Sequence, residues 1–337
     1  MSSTKSPEGE LLVGGQALIE GVMMRSPGAF GVAVRRPDGS IAFQRGKVAS
    51  LAKRYPFLKL PVLRGVAVLF QSLALGIRSL NFSAEQAMAE DEAGDGKDGV
   101  PKPEAPEGKT TSNWAIAGSM AFGLGMGVLL FLLLPLWLTH LAQRYLLGGD
   151  LSSLAFNLVD GGLRAVFFLA YIFLISRMKD IHRVFQYHGA EHKVVFNYEK
   201  KLPLTVENAR AQSRLHPRCG TSFLLFVLLV SILVFALIPK TAPFIVKFGG
   251  RLLLVPVIAG LSYEVLRFTA KHRAAPLFAL LVAPGLALQR ITTQEPTDDM
   301  LEVAIAALEE ALREDGLLGS PENPDEVPLL LPLAAKV

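Results

Sequence analysis

"AIAGSMAFGLGMGVLLFLLLPLWL", Ala115 to Leu138, runs for 24 residues without a charge. That exceeds the roughly 20 apolar residues needed to cross a hydrocarbon core, so the stretch reads as a transmembrane helix and sets the fold class as integral membrane protein. On its C-terminal side, "LAFNLVDGGLRAVFFLAYIFLIS" (Leu154 to Ser176) is a second span, clean in its latter half and carrying Asp160 and Arg164 in its first. "TSFLLFVLLVSILVFALIP" (Thr221 to Pro239) is a third. "LLLVPVIAGLSYEVL" (Leu252 to Leu266) spans if residues 244–250 lengthen it, whereas "AAPLFALLVAPGLAL" (Ala274 to Leu288) reads as a short re-entrant or interfacial helix over 274–290; each holds a proline. On the N-terminal side, "PVLRGVAVLFQSLALGIRSL" (Pro61 to Leu80) is apolar on one side with Arg64 and Arg78 near its ends. It is expected to be an interfacial, re-entrant or buried helix over 61–82.

Charge supplies the orientation. Half the residues are hydrophobic (51%) and only 19% are charged, below the roughly 25% usual for soluble domains. Residues 177–220 hold nine lysines and arginines, while 139–153 hold only Arg144 and 240–250 only Lys240 and Lys247; residues 1–80 hold eleven basic residues against four acids. Basic loops stay on the cytoplasmic side. The expected topology therefore has the N-terminus and the 177–220 loop inside, with the chain threading the cytoplasmic (inner) membrane several times. The net charge of +4 follows from topology and attraction to lipid, and no basic stripe interleaved with aromatics points to nucleic acid. The polar start, "MSSTKSPEGE", has no basic-then-apolar leader, so no cleaved signal peptide is expected. The lone Cys219 has no internal disulfide partner.

Three further segments lie outside the spans. Residues 11–60 form a small cytoplasmic module in which "FGVAVRRPDGSIAFQR" (Phe30 to Arg45) reads as a β-hairpin about Pro37-Asp38-Gly39. Before it, the glycines of "VGGQALIEGVMMRSPG" suggest a close backbone approach, though Gly14-Gly15 reads first as a turn at a strand edge. Residues 83–110 are acidic and rich in Pro and Gly, the composition of a disordered linker. In "TDDMLEVAIAALEEALREDG" (297–316, helical over 297–315), Leu301, Ile305, Leu308 and Leu312 make one apolar face. That amphipathic helix is expected to dock on the cytoplasmic body or to offer its face to a protein partner.

The chemistry centres on "QYHGAEHKVVFNYE", Gln186 to Glu199, which holds two of the six histidines. If the second span continues as a helix through this segment, His188 and His192 share a face one turn apart, the spacing two imidazoles need to chelate one metal ion. Glu191 projects nearby. His-x-x-Glu-His is the order of the inverted zinc proteases, with Glu191 as general base. Gly189 weakens the helix by about 1 kcal/mol relative to Ala and points to a bend or a close approach. A catalytic zinc wants a third protein ligand. Glu264, an ionisable residue inside an apolar run, is the first choice, followed by His216 and Cys219 in "HPRCG"; His182 faces elsewhere on a straight helix. The bland alternatives are solvated interfacial histidines, Glu264 paired with Arg267 one turn away, and Cys219 as a small residue at a helix start.

"GGQALIEGVMMRSP", "PVLRGVAVLFQSLALGIRSLNFSAE", "YHGAEHKVVFNYE", "HPRCGTSFLLFVLLVSI" and "EPTDDMLEVAIAALEEAL" together resemble the YqhQ family of bacterial membrane proteins of unknown function. The resemblance runs from about Val13 to Arg313, broken by the acidic segment, and implies a bacterial inner-membrane protein with a metal site at His188, Glu191 and His192. The expectation is a predominantly α, polytopic membrane protein with three to four transmembrane helices, a small β-containing N-terminal module and a C-terminal amphipathic helix. Its expected activity is that of a zinc-dependent hydrolase at the cytoplasmic face. Zn²⁺ sits on His188, His192 and Glu264, with Cys219 a further candidate ligand, and Glu191 and His216 are catalytic. Arg25 or Arg218 orients the substrate, a membrane peptide or lipid-linked group. The rival is a membrane assembly or scaffold protein with a structural metal or none. A transporter fares worst, since no internal repeat is visible.

Overall fold

The computed structural model describes residues 13–48, 51–88, 113–145, 151–239, 242–271 and 276–318. Four strands, β1 (Gly14–Leu18), β2 (Gly21–Arg25), β3 (Ala29–Arg35) and β4 (Ile41–Lys47), form an antiparallel meander in sequence order. The hairpin expected about Pro37-Asp38-Gly39 joins β3 to β4. Gly39 takes φ +85°, and Asp38 Oδ1 accepts from the Ser40 N–H at 2.8 Å. The glycine-rich stretch before it is strand rather than turn: Gly14 pairs with Arg25 and Gly15 with Met24. The turn falls instead at Ile19-Glu20, with Glu20 at φ +52°. β2 and β3 are buried almost throughout, because both faces of the sheet are covered by helices. Such strands lose the in–out alternation that would reveal them in sequence.

The helices follow in order. After a single turn, α1 (Leu51–Arg54), and a 3₁₀ turn (Pro56–Lys59) comes α2 (Leu63–Met88). The uncharged run folds as α3 (Asn113–Val128) and α4 (Leu134–Tyr145), joined by one π-helical turn, Leu129–Leu133. That turn sits just before Pro135, whose ring removes a backbone donor and crowds the preceding carbonyls. Then come α5 (Ser153–Ile175), α6 (Lys179–Glu199), α7 (Val206–Arg210), α8 (Gly220–Phe235), α9 (Phe244–Lys271), α10 (Pro276–Thr292) and α11 (Asp298–Glu314). Four segments, 63–87, 121–145, 153–175 and 244–269, are long and apolar enough to cross a membrane; the apolar part of α8, 223–235, is shorter. Side chains such as Leu233 and Leu253 stand outward, 70% and 80% exposed, a surface suited to lipid rather than water.

Two boundaries differ from the expectation. The second span does not run on into the histidine segment. It stops at Ile175, Met178 takes an extended conformation, and α6 starts afresh at Lys179 with Asp180 in its first turn, where a carboxylate complements the helix dipole. The break lets α6 leave the apolar bundle and lie against the sheet. α2 is longer than expected and reaches Met88, into the segment read as linker; residues 89–110 of that linker lie outside the described residues. Early in α2, Gly65 meets α9, where an added Cβ would lie 2.8 Å from Tyr263 Cβ. In its second half, Leu75 and Phe82 pack on Leu18, Phe30, Val32 and Val34 of the sheet. α9 takes in residues 244–250, as its span requires, and α10 is one helix over 276–292 despite Pro284.

α11 closes the polar layer. Its Leu301, Leu308 and Leu312 share one core with Val22, Met24 and Ala33 of the sheet and Tyr187, Ala190 and Val194 of α6. The apolar face that was a candidate for a protein partner is thereby covered within the chain. Gly31 allows the approach: a Cβ there would sit 2.5 Å from the Ala307 oxygen and the Ala311 nitrogen.

Candidate metal centre

α6 carries His188 and His192 on one face. At Gly189 the segment joining α10 to α11 crosses it: the Gln294 N–H donates to Phe185 O at 2.8 Å, and a Cβ on Gly189 would overlap the Gln294 carbonyl oxygen. The glycine thus marks a close approach, not a bend. The end of α10 and the loop between α7 and α8 each deliver a carbonyl to the site. His188 Nδ1 lies 2.8 Å from Thr292 O, and His192 Nδ1 lies 2.5 Å from Arg214 O. A carbonyl only accepts, so each Nδ1 carries the proton and each Nε2 keeps its lone pair.

Both free nitrogens face Cys219, the N-cap of α8. His188 Nε2 is 3.2 Å from its Sγ, and the ligand atoms of His188, His192 and Cys219 all lie within 4.8 Å of one another. The Thr221 N–H and hydroxyl point at the sulfur at 3.4 and 3.3 Å. His192 Nε2 is buried with no hydrogen-bond partner among the described residues. An orphaned lone pair beside a second imidazole and a thiol is the donor set of a borderline-soft ion, and backbone carbonyls holding the far ring nitrogens are its usual outer support. These residues fit Zn²⁺.

Glu191 lies beside this set, its Oε2 3.4 Å from His192 Nε2. Burial pushes its carboxyl up, while His188, His216 and a backbone hydrogen bond from Gly15 pull the other way. That approach explains Gly15 of β1, where a Cβ would lie 2.8 Å from Glu191 Cγ. Burial lowers His192, against a contact with Cys219 that raises it, so the ring stays neutral near pH 7, as a metal ligand must. His216 is buried in the next ring outward. Its ring centre is 5.7 Å from that of His192, and its Nε2 is 3.3 Å from Glu199 Oε1, which also pairs with Arg218. Gln289 of α10 clamps the backbone of His216 with two bonds of 2.8 Å.

The structure sets Glu264 apart from the two histidines. Glu264 faces α2: Arg64 Nε donates to its Oε1 at 2.6 Å, Arg64 Nη2 holds Oε2, and the Val62 N–H lies 3.4 Å from Oε1. A guanidinium fork occupies both carboxylate oxygens, and the partner is neither the metal nor Arg267. Cys219, the last of the three alternatives, stands where Glu264 was expected. His182 is exposed on α6 and outside the cluster. Arg218 is engaged by Glu199. Arg25 is half-buried on β2, opposite Gly14 and one register step from Gly15, and burial lowers its guanidinium against the pull of Tyr263. Thr292 and Arg214 were missed because they act through backbone carbonyls, which leave no mark in sequence. Gln289 gave a faint signal as an amide at the end of an apolar helix.

A family model described as a protein of unknown function, DUF1385, matches residues 60–314. The uncharacterized protein YqhQ of Bacillus subtilis (strain 168) is 39% identical over 321 residues, 92% of this chain and 95% of its own length. No solved structure matches.

Proposed function

This chain belongs to the DUF1385 family of proteins of unknown function, and from the chemistry of its own side chains we propose that it is a zinc-dependent hydrolase at the cytoplasmic face of a bacterial membrane. The observation that carries the reading is the convergence of His188 Nε2, His192 Nε2 and Cys219 Sγ within 4.8 Å, with both far ring nitrogens tied to backbone carbonyls. Three protein ligands leave one position for substrate, the pattern of catalytic rather than structural zinc. When bound, the ion would polarise a carbonyl or phosphoryl oxygen. Glu191, fixed by Gly15 and adjacent to the ligands, accepts a proton at its carboxylate from the attacking water and returns it to the leaving group. Arg25 orients an anionic part of the substrate.

The substrate is a membrane peptide or a lipid-linked group. The support is position: Cys219 begins the apolar α8, Thr292 ends α10, and α6 follows directly on α5. The bilayer is the cytoplasmic membrane, and the sheet and α6 lie on its inner side, because basic residues gather in residues 1–80 and 177–220; α11, which shares a core with both, lies there with them.

A second reading, a scaffold with structural zinc, draws on the same 3.4 Å separation of Glu191 Oε2 from His192 Nε2. A small rotation would make the carboxylate a fourth ligand and close the site. Elemental mass spectrometry on detergent-purified protein tests both. Near-stoichiometric zinc lost in His188→Ala/His192→Ala and in Cys219→Ala supports a site, and metal-free wild type that takes up no added Zn²⁺ sinks both readings. Glu191→Gln then separates them. An enzyme keeps its zinc and loses its activity, whereas a closed structural site loses zinc and melts earlier.

A further inference from the structure

We propose that the polar cluster buried between α4, α5, α8 and α9, at the far end of the bundle from the metal centre, is an anion site that takes a phosphate group. Asp160, Arg164, Lys247 and Arg251 are each more than nine-tenths buried. The carboxylate is fully engaged: Oδ2 accepts from Arg164 Nη2 at 2.5 Å and Oδ1 from Arg251 Nη1 at 2.7 Å. Lys247 makes no ion pair among the described residues. Its Nζ lies 3.5 Å from His140 Nε2 and 4.7 Å from the centre of the Phe156 ring. Among the described residues the cluster therefore holds three cations and one carboxylate, an excess of two positive charges.

The second observation is independent of that count. Arg164 Nε and Arg251 Nε are buried and have no hydrogen-bond partner among the described residues. Both guanidiniums lie over the same ring, Phe235, at 4.8 and 5.0 Å from its centre, so like charges are held side by side. A low-dielectric interior strongly disfavours such an excess unless a counter-charge joins it. An oxyanion would supply the missing charge and offers acceptor oxygens to the free N–H groups and to the ammonium. A phosphate group matches best, with one to two negative charges and several strong acceptor oxygens, and guanidinium is its preferred partner.

Phosphate could arrive as the headgroup of an anionic phospholipid or as a free anion. Depth suits the headgroup: Lys247 and Arg251 lie about 5 and about 10 Å along α9 from its first residue. Ser231, which accepts from Arg164 at 2.8 Å, lies about 18 Å along α8 from Cys219. The site is therefore separate from the metal centre, and neither proposal depends on the other.

The test uses the full-length chain. Delipidated protein in detergent is titrated with inorganic phosphate by calorimetry. A parallel sample, mixed with equal phosphatidylglycerol and phosphatidylcholine, is read by native mass spectrometry. The expected result is one phosphate bound per chain, or selective retention of phosphatidylglycerol; the first assigns a free anion, the second a headgroup. Lys247→Gln leaves both Asp160 ion pairs in place and should weaken whichever ligand binds by about tenfold, while Lys247→Arg retains it. Folded wild type that takes neither ligand overturns the proposal without recourse to a variant. Binding unchanged in a folded Lys247→Gln protein overturns it as well.

Discussion

Gly189 poses a contest between local and tertiary forces. Replacing glycine by alanine inside a helix gains about 1 kcal/mol of intrinsic propensity. Here the new Cβ would overlap the Gln294 carbonyl, which is backbone and cannot swing aside. Overpacking of that kind costs about 1–3 kcal/mol, so Gly189→Ala should lower the melting temperature, and an unchanged or higher value would refute the close approach. Gly15→Ala should also destabilise the fold, since its Cβ would meet Met23 O at 2.5 Å and Glu191 Cγ at 2.8 Å. In sequence Gly14-Gly15 reads first as a turn at a strand edge, and the close approach of Gly15 stays hidden because Glu191 lies on a different element. The histidine pair was legible for the opposite reason: i and i+4 on one helix is local geometry.

α11 shows what element-scale reading captures. Its apolar face follows from periodicity, whereas its docking on β2, β3 and α6 does not. Leu308 is fully buried in that contact, and Leu308→Ala should cost about 2–5 kcal/mol, read as a fall in denaturation midpoint. The same helix carries a pH-sensitive group. Burial pushes the Glu309 carboxyl up, with Arg313 pulling it down and Glu310 adding to the rise. A raised carboxyl binds its proton more tightly when folded. Its contribution to stability is therefore complete below the unfolded value and is lost as pH rises through the folded one. Glu309→Gln should melt above wild type at neutral pH, and the gap should close below about pH 4.3; a gap that persists in acid would contradict the assignment. Arg313 keeps a partner in the variant, Glu310 at 2.9 Å.

For the whole molecule, the orientation is the quantity to measure. In a Cys219→Ser background, a cysteine at Ser213 should react with an impermeant thiol reagent only from the cytoplasmic side, and one at Ser152 only from the outside. The reverse pattern would invert the topology and move the metal centre to the other face. What the sequence determined alone was local or compositional: the long apolar helices, the PDG hairpin, the amphipathic C-terminal helix and the pairing of His188 with His192. These depend on uncharged length, turn chemistry and the 3.6-residue repeat, which need no knowledge of distant contacts. Tertiary structure alone decided which third residue stands beside the two histidines. Glu264 and Cys219 were both eligible by residue type. The choice fell to Arg64, 200 residues from Glu264 in sequence, because a half-buried carboxylate goes to the guanidinium that packing places against it.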